Sequence, residues 1–179
     1  MVIKKCIAVG LMVLLGEYIS AQQLNTIDFQ QVQAHITFDT LSQSISGKVK
    51  YIFDVGSQTD SLVLNASGMQ FGNVKINGKT VAFKAENHQI ILYQKLVKGE
   101  GQTLTLDYTA QPAKALYFTG WNSSAPGQIW TQGQGKDTSN WLPVVDDVRD
   151  KLTPEFFITF DSAFTVIANG QLIDTQPSG

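Results

Sequence analysis

The chain is predicted to be all-β, an antiparallel sandwich or a curved, saddle-like sheet of many short strands. Three observations carry this expectation. Apolar residues alternate with polar ones at a period of two along most of the chain, the pattern of a strand buried on one face. Turn residues punctuate these stretches at roughly 8–12 residue intervals, as in sandwiches and barrels. Beyond the first residues, no extended stretch repeats its apolar positions at the 3.6-residue period of a helix.

The elements follow in order. Lys4 and Lys5 precede the apolar run Ile7 to Leu15, and Ser20 and Ala21 supply the small residues of a cleavage site, which together read as a signal peptide over 1–21. The run is shorter than the roughly 20 apolar residues that span a bilayer, and Glu17 closes it. Cleavage would leave 22–179 as one β domain and would remove Cys6, the single cysteine. An exported, periplasmic or secreted, protein is expected, stabilised without disulfides and with no membrane contact after cleavage. Val32, Ala34, Ile36 and Phe38 then alternate with polar neighbours, and Val49, Tyr51, Phe53 and Val55 repeat the pattern. Shorter stretches surround Leu62 and Leu64, Val74 and Ile76, Val81 and Phe83, Ile90 and Leu92, and Leu104, Leu106 and Tyr108. Asn77-Gly78 lies between two of them and favours the positive φ angles of a type I′ hairpin turn. Phe156, Ile158 and Phe160, then Phe164 and Val166, resume the alternation towards Asn169-Gly170.

Composition narrows the function. Thirteen Lys and Arg against 15 Asp and Glu give a net charge of −2, which provides no long-range attraction for a phosphate backbone, so nucleic acid is not an expected partner. Only 16% of residues are charged while 43% are hydrophobic, enough to build a core under a weakly charged surface. With one cysteine and two histidines, His35 and His88, the chain cannot assemble a zinc site from three or four such ligands. Both histidines fall on predicted strands and read as sheet-surface residues.

One stretch breaks the alternation. Between Ala110 and Pro154 lie all three tryptophans (Trp121, Trp130, Trp141), three of the five prolines, and Asp146, Asp147 and Asp150. Loops this long in a compact domain are usually functional or covered by another element. The rings either cap the sheet or form an amphipathic wall for a ligand. In the second case the chain would be a stand-alone exported binding module, for carbohydrate or adhesion, stacking its ligand on Trp121, Trp130 and Trp141. A structural scaffold that has lost catalysis is a third reading.

The same loop carries a resemblance. Leu116 to Trp121, then Ile129-Trp130-Thr131-Gln132-Gly133-Gln134, then Trp141-Leu142-Pro143-Val144-Val145-Asp146, and finally Asp150-Lys151, resemble the N-terminal domain of the aminopeptidase N family of zinc metallopeptidases. Asp28, the Gly47-Lys48-Val49 stretch, Gly99 and Ala168-Asn169-Gly170 fall in the same order, so the resemblance covers residues 27–173. Ala115 stands where that family often has Gly, and Val148 where it has Pro. The resemblance implies an all-β domain that packs on a thermolysin-like catalytic domain of the same polypeptide. That catalytic domain would hold the zinc and the His-Glu-x-x-His and Gly-x-Met-Glu-Asn motifs, none of which occurs here; no cofactor is expected in this chain, and alone it would be inactive. It further implies that the loop bearing Gln132 and Gln134 faces the N-terminus of a peptide substrate. Gln134 stands where relatives often carry Glu and would accept a hydrogen bond without adding charge; Gln132 would line the pocket for the first side chain. Asp146 and Lys151 read as local turn caps or ion-pair partners instead of ligand contacts. The resemblance also predicts a strand or hairpin from Asn169 to Ile173, which the sequence leaves without its returning partner; a continuation into a catalytic domain is expected.

Overall fold

The computed structural model describes residues 23–177, so the signal read over 1–21 lies outside the described residues. The period-two segments become strands. The first two, β1 (Ile27–Asp39) and β2 (Ser44–Val55), form an antiparallel hairpin that pairs Asp39 with Ser44. Its loop is shaped by the Asp39 carboxylate, which accepts the backbone N–H groups of Leu41 and Ser42 at 2.9 and 3.2 Å, the Asx arrangement that favours a turn. Then come β3 (Thr59–Asn65), β4 (Met69–Ile76), β5 (Lys79–Thr80), β6 (Ala82–Glu86), β7 (Gln89–Leu96) and β8 (Gly99–Ala110). Past the long loop's first part lie β9 (Leu116–Thr119), β10 (Gln128–Thr131), a 3₁₀ turn at Thr138–Asn140, and β11 (Thr153–Thr159).

Six strands form the larger sheet in the order β11-β1-β2-β8-β4-β5, three form a smaller sheet ordered β3-β7-β6, and β9 pairs with β10 as a separate ribbon. The inward faces of the two main sheets share one core, so the predicted sandwich is the observed fold. Ala34 of β1, Val49, Tyr51 and Phe53 of β2, and Leu104 and Leu106 of β8 are fully buried, and Leu62, Ile90 and Leu92 of the smaller sheet are buried in the same cluster. Burying each large apolar side chain of this kind contributes roughly 1.5–3 kcal/mol. Among the described residues no helix is long and apolar enough to cross a membrane.

The Asn77-Gly78 turn forms as predicted, with φ of 50° and 76° joining Ile76 to Lys79. Four expectations need correction. His88 is not on a strand; with Asn87 it makes the two-residue turn between β6 and β7, at φ 60°. His35 does lie on β1, exposed and stacked on Phe157 with ring centroids 4.3 Å apart. Val81 is buried between β5 and β6, whereas Phe83 points outward and meets Phe71 edge to face. The last strand, β11, pairs with β1 in parallel, not antiparallel. A tight turn forces antiparallel pairing, but β11 arrives through the long connection after β8, which leaves its direction free. As an outer strand it leaves Phe156 and Phe157 substantially exposed. Finally, Phe164 and Val166 are not in a strand, because no neighbouring strand among the described residues supplies a ladder of hydrogen bonds for them.

Candidate functional site

The loop that interrupts the strand pattern is held to the sandwich at many points. Tyr51 and Tyr108 are buried residues of adjacent strands β2 and β8. The Tyr51 hydroxyl donates to the Pro143 carbonyl, and the Tyr108 hydroxyl donates to the Trp141 carbonyl at 2.7 Å. Asn65, at the end of β3, exchanges both backbone hydrogen bonds with Val144, at 2.8 and 3.0 Å, and its side-chain oxygen accepts the Asp146 N–H at 3.0 Å. Ser67 N–H donates to the Ser139 carbonyl at 2.8 Å. The Trp141 to Asp146 segment is therefore a fixed part of the fold, with Leu142 buried and Trp141 packed on the core. The alternation pattern signalled that Tyr51 and Tyr108 face inward, but nothing in the sequence signalled that their hydroxyls and Asn65 hold this loop.

The segment with Gln132 and Gln134 projects from this base. Gln132 N–H donates to the Ala115 carbonyl at 2.8 Å, closing one end. At the other end Lys114 and Asp137 form an ion pair of 2.6 Å, and Gly133 lies against Thr138 so closely that a Cβ would fall 2.6 Å from the Thr138 hydroxyl oxygen. Both glutamines are exposed, and neither side-chain amide is spent on the backbone of the described residues. Ala115, where the resemblance expects Gly, has φ 67° and is buried. This left-handed conformation costs a residue with a Cβ roughly 1–2 kcal/mol and costs Gly almost nothing, which explains why Gly suits the position.

The acidic cluster does not converge on one point. The Asp146 carboxylate accepts the Ser139 N–H at 3.1 Å, a turn cap of the kind expected from the sequence. Asp147 is paired with Arg149 at 3.0 Å, and that hydrogen-bonded guanidinium holds its carboxyl well below the usual range. Asp150 is different: burial pushes its pKa up to about 6 against the opposing hydrogen bond from the Phe29 N–H, with Asp28 and Asp147 adding repulsion, and its Oδ2 has no partner. Lys151 is exposed.

The tryptophans pack on three different partners. Trp121 leans on Phe164, with centroids 5.3 Å apart, and donates its indole N–H to the Gln128 carbonyl at 3.0 Å. Trp130 stacks on Tyr117 at 4.5 Å, and Trp141 tilts against Phe156 at 6.2 Å. The arrangement favours sheet capping over one continuous stacking wall.

A β-sandwich with an exposed, anchored loop between its eighth and eleventh strands is the class of domain that fold and site define. Residues 26–179 match the Peptidase M1 N-terminal domain, and the chain belongs to that family. No curated protein matches the chain. Among solved structures, an M1 zinc metallopeptidase from Deinococcus radiodurans is similar at 20% identity and a TM-score of 0.63, over 73% of this chain and 32% of that one. A two-domain M1 zinc metallopeptidase mutant bound to L-arginine is similar at 19% identity and 0.64, over 77% and 33%. Native yeast LTA4 hydrolase is similar at 16% identity and 0.65, over 75% and 23%. The chain thus spans a third or less of the length of these structures. Among the described residues no group of three or more His, Cys, Asp or Glu side chains could hold a metal ion, so the residues present do not fit the zinc of those peptidases.

Proposed function

We propose that the chain is the N-terminal, non-catalytic β domain of an exported zinc-dependent aminopeptidase. It packs on a thermolysin-like catalytic domain of the same polypeptide, and Gln132 and Gln134 receive the N-terminus of a peptide substrate. One observation carries the reading: a member of the Peptidase M1 N-terminal domain family presents, on a loop tied down at both ends, two side-chain amides that bond no other group among the described residues.

The chemistry supports these residues. A free α-ammonium group must exchange water for acceptors when it is buried, or desolvation opposes binding. The Gln134 side-chain oxygen supplies one such acceptor, and the balancing carboxylate comes from the catalytic domain. A neutral amide captures the cation less strongly than a Glu at the same place. Gln132 lines the space for the first side chain. Export rests on the charged start, apolar run and small residues of 1–21.

In the enzyme carrying its catalytic domain, Gln134→Ala is expected to lower kcat/KM about 10-fold, as loss of one hydrogen bond to a charged group does. Steady-state kinetics on an alanine or leucine anilide measure this, and unchanged values would remove Gln134 from the site.

A further inference from the structure

We infer that Asp146 is a positioning residue for the Gln132–Gln134 segment, holding it through the 3₁₀ turn without touching the substrate; the inference rests on the reading of that segment proposed above. The turn at Thr138–Asn140 begins with an unmet need. Its N-cap residue, Asp137, makes no side-chain capping bond and pairs instead with Lys114 through Oδ1. The Ser139 N–H is left to be satisfied from elsewhere, and Oδ2 of Asp146 does so at 3.1 Å. Ser139 is buried, and a carboxylate oxygen accepting its part-buried backbone N–H makes a strong hydrogen bond.

Asp146 can hold the turn because it is itself held. Its N–H donates to Asn65 Oδ1 at 3.0 Å, next to the reciprocal backbone pair of Asn65 and Val144. Asn65 ends β3, whose Leu62 and Leu64 sit in the core. The support therefore runs from a core strand through Asn65 and Asp146 to Ser139. From Ser139 it passes to the adjacent Thr138, which Gly133 meets with no room for even a methyl group. Gly133 lies between the two glutamines, so displacement of the turn is transmitted to both. Without the Asp146 carboxylate, a part-buried N–H loses its partner and the turn must shift towards water.

Two measurements on Asp146→Ala and Asp146→Asn test this. In the full chain, hydrogen exchange in Asp146→Ala is expected to speed up about 10-fold or more at the two hydrogen-bonded amides of this region, Ser139 and Gln132, with Val49, Tyr51, Leu104 and Leu106 unchanged. Asp146→Asn keeps an acceptor but not the charge, and is expected to give about a 3-fold effect at the same amides. Unchanged exchange at Ser139 and Gln132, or acceleration spread evenly over the core strands, would overturn the proposal. If Asp146→Ala does not fold, Asp146→Asn decides alone by the same criteria. In the enzyme carrying its catalytic domain, KM is expected to rise about 10-fold in Asp146→Ala with kcat little changed, and Asn to recover part of the loss. Faster local exchange with unchanged kinetics would support Asp146 as the support of the segment while removing the glutamines from substrate binding.

Discussion

Tyr51 and Tyr108 pass through the core to reach the loop above it, and burial, the largest influence on each, pushes both hydroxyls well above the usual tyrosine range. They therefore stay neutral donors to Pro143 and Trp141. Asp150 titrates in a more accessible range. Its ordinary value is 3.8 and burial in the fold raises it to about 6, so the fold favours its neutral form. The stabilisation this gives is complete below about pH 4 and is lost as pH rises through about 6. Asp150→Asn keeps an acceptor for the Phe29 N–H and removes the titration. Thermal melts from pH 4 to pH 8 are expected to show the parent losing stability across pH 4–6 while the variant declines less and melts higher at pH 7–8. Equal slopes for the two proteins would refute this account of Asp150. Individual residues were unevenly legible. Asp146 was read as a turn cap because a loop carboxylate commonly is one. The orphan oxygen of Asp150 depends on what lies over it, and no local pattern encodes that.

At the scale of the element, two tight turns of the same kind illustrate what turn chemistry reveals. Asn77-Gly78 announces itself because Gly adopts φ 76° freely. Asn87-His88 adopts a similar turn with φ of 51° and 60° but places a residue with a Cβ where Gly is preferred, so the sequence there reads as strand. His88 is exposed, and its visible contribution is a backbone carbonyl that accepts the Ala66 N–H at 2.8 Å. His88→Gly retains that bond and relieves the left-handed strain. Offset by the extra freedom of Gly in the unfolded chain, it is expected to stabilise the domain by about 0.5–1 kcal/mol. Chemical denaturation checks this, and a lower midpoint would contradict it. The strands themselves were legible wherever one face is buried, as in β1, β2 and β8. Direction was not: β11 arrives through a long connection that permits either direction, and only its pairing in the sheet shows that it runs parallel to β1.

At the scale of the molecule, the chain is a family domain that spans a third or less of the solved structures it is similar to. Its described residues offer no group of ligands for a metal. On the proposed function, the purified chain is expected to release no chromophore from alanine or leucine anilides and to hold no stoichiometric zinc by metal analysis. Chelator-sensitive turnover by the chain alone would contradict the assignment of catalysis to another domain. The sandwich was legible because its alternation is long and regular. The role proposed for the loop rests on the order of its motifs, since period-two patterning carries no information about a segment that has no period.

The parallel pairing of β11 with β1 also sets an order of assembly. β1 meets β2 across a loop of residues 40–43, whereas the contact of Gln33 with Glu155 closes 122 residues. Closing the longer span costs about 3 kcal/mol more chain entropy. The first hairpin can pair as soon as its own residues are free, but β11 must wait until β1 has a sheet around it. Its docking is a late, slow step, and until it is complete the outer edge of β1 remains open to any other extended chain.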